Sequence, residues 1–274
     1  MRGIRDLGGV IALAAALALD AAGACEPRDF LAMPVPPAGT EADALGLAYP
    51  GLSVAPDGEA VSVDGHAWLP LGQRQADPAR RLTAATIRDH FAVPYPLAFD
   101  LDARLAPEAD PGRARSDALL GALYGRTEAE VRARVVRVAE PRLADVAFTV
   151  TAAQGVDCQL AAALDAIAAD AEAMAPFFRD AAGGFVWRRI AGTDRLSAHA
   201  YGIAVDLNAE MGGYWRWTGA AENRVGAYPN RIPEALVRAM ERRGFVWGGK
   251  WHHFDGMHFE YRPEIILHAR MIAG

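Results

Sequence analysis

Two residues seven positions apart, His199 and Asp206, stand in the run Ser197-Ala198-His199-Ala200-Tyr201-Gly202-Ile203-Ala204-Val205-Asp206-Leu207-Asn208. A carboxylate inside such an apolar, alternating stretch costs several kcal/mol unless it is paired or coordinated. Asp206 therefore needs a partner, and Gly202 and Ala204 keep bulk low enough for backbone, metal or substrate to come close. Further along, the glycine pair Gly248-Gly249 leads through Lys250 and Trp251 into His252-His253-Phe254-Asp255-Gly256-Met257-His258-Phe259-Glu260-Tyr261. If the end of that run is a strand, its period of two puts His258 and Glu260 on one face and Met257 and Phe259 on the other, toward a core. His258 then points toward whatever His199 and Asp206 face. Two imidazoles and a carboxylate are a workable ligand set for one Zn²⁺, with a fourth position left for water. Such a metal lowers the pKa of that water toward ~7 and polarises a carbonyl, while a nearby carboxylate accepts the proton. Asp255 and Glu260 are both candidates for that base, and their spacing does not separate them.

Elements must hold these groups in place. Five of the seven histidines and five of the six tryptophans follow Phe185, so the chemistry is concentrated toward the C-terminal end. Ile232-Pro233 opens a predicted helix with Leu236, Val237 and Met240 on one face and Gly244 at its end, and a strand follows into the glycine pair. Trp247 and Trp251 bracket glycines and are expected to flank a cleft, whereas His252, His253 and His268 are expected at the surface. Upstream, Phe185 to Ile190 and Val146 to Val150 read as strands. Asp157 is placed to cap a long helix from Cys158 to about Asp180, with Leu160, Leu164, Ile167 and Met174 inward and Gly183-Gly184 ending it. Thr127 and Glu130 form a capping box for a helix carrying Val131, Val135 and Val136 on one face. Thr83 to Phe91 is a short predicted helix, Asp110-Pro111-Gly112 a turn, and Leu52 to Leu71 a β-hairpin unit turning at Asp57-Gly58 and Asp64-Gly65. Residues 26 to about 50, rich in proline, glycine and alanine, are expected to be an extended leader.

The first residues carry a different signal. Arg2 and Arg5 precede an apolar stretch from Val10 to Leu19, and Ala22-Gly23-Ala24 offers the small residues a signal peptidase reads, so 1–24 is expected to be a secretory signal peptide. The apolar run is about half the ~20 residues a membrane-spanning helix needs, and no transmembrane helix is expected in the mature chain. Cleavage after Ala24 would leave Cys25 first, which also makes it a candidate for a lipid anchor. With Cys158 the only other cysteine, a single long-loop disulfide or an acylated Cys25 with a buried Cys158 thiol are both open, and a cysteine-only metal site is excluded. The expected location is outside the cytoplasm, in the periplasm or cell envelope. Of the 274 residues 52% are hydrophobic and 23% charged, the balance of a globular protein. The net charge of −6 argues against nucleic acid as a partner.

The two runs together resemble the M15 zinc peptidases, the group of D-alanyl-D-alanine carboxypeptidases and L-alanyl-D-glutamate peptidases that cut peptidoglycan stem peptides. Ser-x-His-x-x-Gly-x-Ala-x-Asp is met by Ser197 to Asp206, and Asp-x-x-His-Phe-Glu by Asp255 to Glu260. The resemblance covers about 80 residues, from Phe185 to Pro263. It implies that His199, Asp206 and His258 bind zinc, and that Asp255 is the general base in a position where many relatives carry glutamate. It also implies a substrate-carbonyl arginine upstream of the serine, supplied by Arg188 or its neighbour Arg189. Ser197, Tyr201 and Trp251 are the candidates for orienting ligands or substrate, and Glu260 for orienting His258 through its free ring nitrogen. The resulting expectation is an α+β fold, a small antiparallel sheet with flanking helices forming the peptidase domain over 151–274. A mixed region of unknown role, 25–150, precedes it. The alternative reading is a non-catalytic, zinc-bearing module that binds cell wall.

Overall fold

The computed structural model of the chain describes residues 26–101, 107, 109–190, 193–222, 224–226 and 228–274. The expected signal peptide and Cys25 lie outside the described residues. Thr40 opens α1 (Glu41–Ala48), which corrects the expectation of an extended leader up to residue 50. Thr40 Oγ1 accepts from Asp43 N at 3.1 Å and Asp43 Oδ2 accepts from Thr40 N at 2.8 Å, a capping box with aspartate in the place of the usual glutamate. Its buried Ala42, Ala44, Leu45 and Ala48 pack toward the last helix of the chain. The hairpin expected over Leu52–Leu71 is present with a third strand: β1 (Leu52–Val54), β2 (Ala60–Val63) and β3 (Leu69–Pro70) pair antiparallel.

Asp77 caps α2 (Pro78–Thr83) by accepting from Ala79 N at 2.9 Å. The helix expected from Thr83 to Phe91 is reduced to a 3-10 turn, Arg88–Phe91. Asp89 accounts for the difference, because its carboxylate takes Thr86 N at 2.8 Å and Gln75 N at 2.9 Å, bonds that compete with a helical ladder. Ser116 caps α3 (Asp117–Tyr124), and Thr127 caps α4 (Glu128–Arg132). Val135 and Val136, expected on the face of this last helix, instead begin β4 (Val135–Glu140), paired along its length with β5 (Val146–Thr151). Branched side chains fit a pleated strand, and the long partner strand overrides the local helix signal. In α5 (Val156–Ile167), Leu160, Leu164 and Ile167 are buried as expected. The run to Asp180 is broken by a 3-10 turn at Ala168–Asp170 and restarts only as α6 (Ala171–Met174), where Asp170 serves as a new cap.

The remaining elements are β6 (Ala182–Gly183), β7 (Ala204–Asp206), α7 (Ala209–Gly212), α8 (Glu234–Arg242), β8 (Phe245–Trp247), β9 (His258–Tyr261) and α9 (Pro263–Ile272). Their strands form one antiparallel sheet in the order β6-β7-β9-β8. The segment Phe185 to Ile190 is not the strand expected. Its amides go to three different places, Phe185 N to Thr149 O, Val186 N to His199 O and Ile190 N to Arg195 O, so no single partner strand forms. The architecture is α+β, small antiparallel sheets with helices packed around them. One apolar cluster runs from Phe30 to Met271 and draws on residues from both sides of position 150. Trp247, expected at a cleft, lies inside that cluster at 0% exposure, stacked 5.7 Å from Phe99 and 6.2 Å from Phe259.

Beneath the sheet runs a chain of buried charges. Arg262 Nε donates to Glu264 Oε1 at 2.7 Å and Arg262 Nη1 to Glu260 Oε1 at 3.1 Å, with all three residues fully buried. Glu264 also accepts from Tyr49 OH at 2.5 Å and meets His90 Nδ1 at 3.3 Å. The other ring nitrogen of His90 accepts from Ser116 N at 2.8 Å, which leaves Nδ1 as the donor to Glu264. Burial, and then the Arg262 cation, lower His90 to about 4. Burial alone would raise Glu264, but Arg262, His90 and Tyr49 outweigh it and bring the carboxyl down to about 2.

Both shifts have one sign in the stability curve. In the unfolded chain His90 takes a proton below about 6.5 and Glu264 below about 4.5, while the folded chain resists both until about 4 and about 2. Each contribution is complete above the unfolded pKa and is lost as pH falls. Urea unfolding followed from pH 7.5 down to 3 is expected to show stability falling first between pH 6.5 and 4, then again below 4.5. The first fall should be smaller in His90→Gln, whose side chain does not titrate.

Candidate metal centre

The register of β7 against β9 puts Asp206 directly opposite His258 and Ala204 opposite Glu260. Opposed residues of an antiparallel pair project to the same face, so pairing alone brings the carboxylate to the imidazole. His199 arrives from a separate 3-10 turn, Ala198–Tyr201, which Ser197 opens and Gly202 closes with φ 68°. A Cβ on Gly202 would stand 2.9 Å from Thr151 N, so glycine is required both for the turn and for the approach of β5. Gly183 is similarly constrained: a Cβ there would lie 2.7 Å from Asp206 N and 3.1 Å from His199 Cε1.

One ligand atom from each of His199, Asp206 and His258 lies within 4.8 Å of the others. Asp206 Oδ2 is 3.3 Å from His199 Nε2, and Asp206 Oδ1 is 3.0 Å from His258 Nδ1. Two ligands at about 2.0 to 2.1 Å from a tetrahedral zinc stand about 3.3 Å apart, so the three side chains fit such an ion. The outward ring nitrogens fix the tautomers. His199 Nδ1 faces the Gly184 carbonyl at 3.0 Å and His258 Nε2 faces Glu260 Oε2 at 3.3 Å, so with an ion bound each ring would keep its proton outward and give the inward nitrogen to the ion. The electrostatics suit a cation. Burial would lower His258, yet Asp206 and Glu260 raise it to about 10, so without an ion the ring also holds a proton on Nδ1 facing Asp206, in the place an ion would take. Burial likewise disfavours charge on Asp206, and the two histidines overturn this and hold it well below the usual carboxylate range.

Asp255 follows Phe254 into the turn before β9 and its carbonyl accepts from His258 N at 3.1 Å. Its Oδ1 is buried without a hydrogen-bond partner. Burial raises the carboxyl to about 6, against the opposing pull of His258 and with a smaller push from Asp206. Trp251 is buried, its ring centroid 5.6 Å from that of His258, and it packs on the ligand ring. Ser197 Oγ accepts from His199 N at 3.4 Å and Ser197 N donates to Arg188 O at 3.0 Å, which ties the histidine turn to the arginine segment. Tyr201, Arg188 and Arg189 line one open groove of about 450 Å³ with Trp187, Asp117 and Arg126. Tyr201 OH donates to Asp117 Oδ1 at 3.2 Å. Arg189 donates to the Asp194 carbonyl, whereas Arg188 is exposed and among the described residues no hydrogen bond holds its guanidinium.

Three histidines expected at the surface are buried. His253 meets Asp110 Oδ2 at 2.7 Å, His268 lies 4.9 Å from the Phe91 ring, and His252 is 8% exposed. The largest omission from the sequence reading is Arg115. Its Nε donates to Glu260 Oε1 at 2.7 Å and its Nη2 to Oε2, a two-pronged grip on the carboxylate that orients His258. Arg115 and Glu260 are 145 positions apart, and nothing local in Arg113-Ala114-Arg115-Ser116 marks this partner.

Residues 191–261 match the family model described as D-alanyl-D-alanine carboxypeptidase. No curated protein and no solved structure matches the chain. The matched segment holds both histidines, Asp206, Asp255 and Glu260, so the part of the chain that carries the group is similar to that family. The match covers about a quarter of the sequence and excludes Arg115, so the grip on Glu260 comes from outside it.

Arg115→Lys keeps the charge but loses the fork. It is expected to weaken zinc binding by about tenfold, the lower end for loss of such an orienting partner. Competition with a chromophoric chelator measures this, with far-UV circular dichroism unchanged.

Proposed function

We propose that this chain is a zinc-dependent peptidase that hydrolyses peptide bonds in peptidoglycan stem peptides, of the L-Ala–D-Glu or D-Ala–D-Ala type. The observation that carries the reading is the buried, unpartnered Oδ1 of Asp255 next to the His199, Asp206 and His258 group. His199, Asp206 and His258 hold one ion. When bound, zinc supplies Lewis acidity to the scissile carbonyl and acidity to water. Asp255 accepts the proton of the attacking water and passes it to the leaving amine, a task suited to a carboxyl whose pKa burial has raised toward the working pH. Arg188 is given the developing oxyanion on the strength of the resemblance, since the groove it lines includes none of the three ligand residues in its wall. Tyr201 lines the same groove and orients substrate. Ser197 holds the turn that presents His199, and Trp251 fixes the His258 ring from the side.

An exported enzyme acting in the periplasm or cell envelope is the matching location. Arg2, Arg5 and the Val10 to Leu19 run support it, as does Cys158, which is disulfide-bonded as cysteines in oxidising compartments are. Among the described residues no helix is long and apolar enough to cross a membrane.

Mass spectrometry of peptidoglycan fragments incubated with the mature chain and zinc tests the reading. Chelator-sensitive loss of a terminal D-alanine identifies a carboxypeptidase, and separation of L-Ala from D-Glu an endopeptidase. Zinc bound with no product from any fragment overturns the enzyme in favour of a binding module. Asp255→Ala is expected to retain zinc while kcat falls at least ~100-fold, the usual scale for a lost general base. Turnover equal to the parent would remove Asp255 from that role.

A further inference from the structure

Tyr214 and Asp255 pair antiparallel, with Trp215 N donating to Phe254 O at 3.0 Å and Gly256 N to Gly213 O at 2.9 Å. These bonds flank the pair instead of joining it, which makes it the kind whose side chains stand closest, with Cα atoms about 4.5 Å apart. Opposed residues leave such a ribbon on the same face, so the Tyr214 side chain emerges beside the Asp255 carboxyl. Tyr214 is half-buried and meets Trp217 edge-on, ring centroids 5.8 Å apart, and Trp217 is 63% exposed. An exposed indole alone signifies little, but this one does not sit on a loose tip. Trp217 N donates to Tyr214 O at 3.0 Å and Thr218 Oγ1 to Trp215 O at 2.6 Å, closing the turn Trp215–Thr218. Trp215 anchors that turn, buried 4.8 Å from the His253 ring and clustered with Val225 and Phe254. Two aromatic rings are thus held in a row that starts at Asp255 and ends in solvent.

We propose that Tyr214 and Trp217 form the wall on which the leaving, amine-side part of the substrate packs, and that Trp217 extends this wall beyond one residue. The inference rests on the hydrolytic reading, in which Asp255 hands its proton to the leaving nitrogen. The residue that carries this nitrogen lies against whatever flanks Asp255, and Tyr214 does. Trp217 comes next in the row. An extended chain advances about 3.3 Å per residue, so a second ring centred 5.8 Å from the first meets the second or third residue after the scissile bond. A leaving part of one residue reaches Tyr214 and not Trp217. Rigid aromatic side chains offer contact area at low entropic cost and accept varied partners. The two rings therefore favour cleavage inside a chain over removal of its last residue.

The test compares peptides containing L-Ala–D-Glu or D-Ala–D-Ala, each with one or with three residues after the scissile bond, on the zinc-loaded protein. The longer leaving part is expected to lower KM about tenfold at similar kcat, the scale of one aromatic contact. Trp217→Ala should erase the difference between the two lengths. Tyr214→Ala should raise KM about tenfold for both, and Tyr214→Phe, which keeps the ring, should restore the parent's KM. Zinc affinity, from chelator competition, should be equal in all of them. The proposal is overturned if length has no effect in the parent, if Trp217→Ala keeps the length effect, or if Tyr214→Phe fails to restore KM. It is likewise overturned if Tyr214→Ala lowers kcat at unchanged KM, which would make the ring a support for Asp255. If no peptide is cut, titration calorimetry with the three-residue leaving peptides as free amines decides. Binding that Trp217→Ala weakens about tenfold leaves the rings as a peptide-binding wall and overturns hydrolysis alone, whereas no binding by the parent overturns the wall.

Discussion

Glu260 carries a charge at 0% exposure, and a carboxylate in that position survives only if cations surround it. Arg115 and Arg262 do so, and together they hold it well below the ordinary carboxylate range against the effect of burial. Almost everything else about the site depends on this pairing. A fixed, ionised Glu260 accepts the Nε2 proton of His258, which leaves Nδ1, facing Asp206, as the nitrogen that an ion would take. Were Glu260 neutral or displaced, His258 would lose the bond that selects its tautomer, and the three-residue group would lose one member.

The cations come from distant parts of the sequence. Arg262 follows directly on β9, whereas Arg115 lies just before α3, far upstream of the segment that matches the family. The stretch around it is laced to the C-terminal part at successive points: Asp110 to His253, the Gly112 carbonyl to Arg262, the Arg113 carbonyl to Arg195, and Asp117 to Tyr201. Residues 110–117 therefore act as a strap across the sheet that carries the ligands. This gives the upstream region a physical task that composition did not reveal, since it completes the electrostatic support of the centre.

What the sequence made readable was local and periodic. The strand that carries Asp206, the strand that carries His258 and Glu260 and the helix opened by Pro233 each depend on neighbours in the chain and are present, although Met257, expected toward the core with Phe259, precedes β9 and is only half-buried. The placement of α1 was hidden because its capping box uses Asp43 and its buried face is mostly alanine. The continuation of α4 through Val136 failed for the opposite reason, as a clear local signal lost to a strand partner across a turn. His253 looked like a surface residue because its acceptor, Asp110, is 143 positions away. Buried polar pairs of this kind need long-range contacts to be seen, and periodicity carries no information about them.

Among the described residues, the pattern of satisfied charge points to Asp255 with unusual economy. Asp110, Asp206, Glu241, Glu260 and Glu264 are each joined to an arginine, a lysine or a histidine. Asp255 keeps a buried oxygen with no donor among the described residues, whereas the same fold supplied partners for these five acids. An unmet acceptor costs free energy in the resting protein, ~1–3 kcal/mol, and burial at the same time raises the carboxyl's affinity for a proton. Those two effects have one common remedy, a proton arriving at that oxygen. A general base is a group that gains from taking a proton, so the strain left at Asp255 and the task proposed for it are the same property.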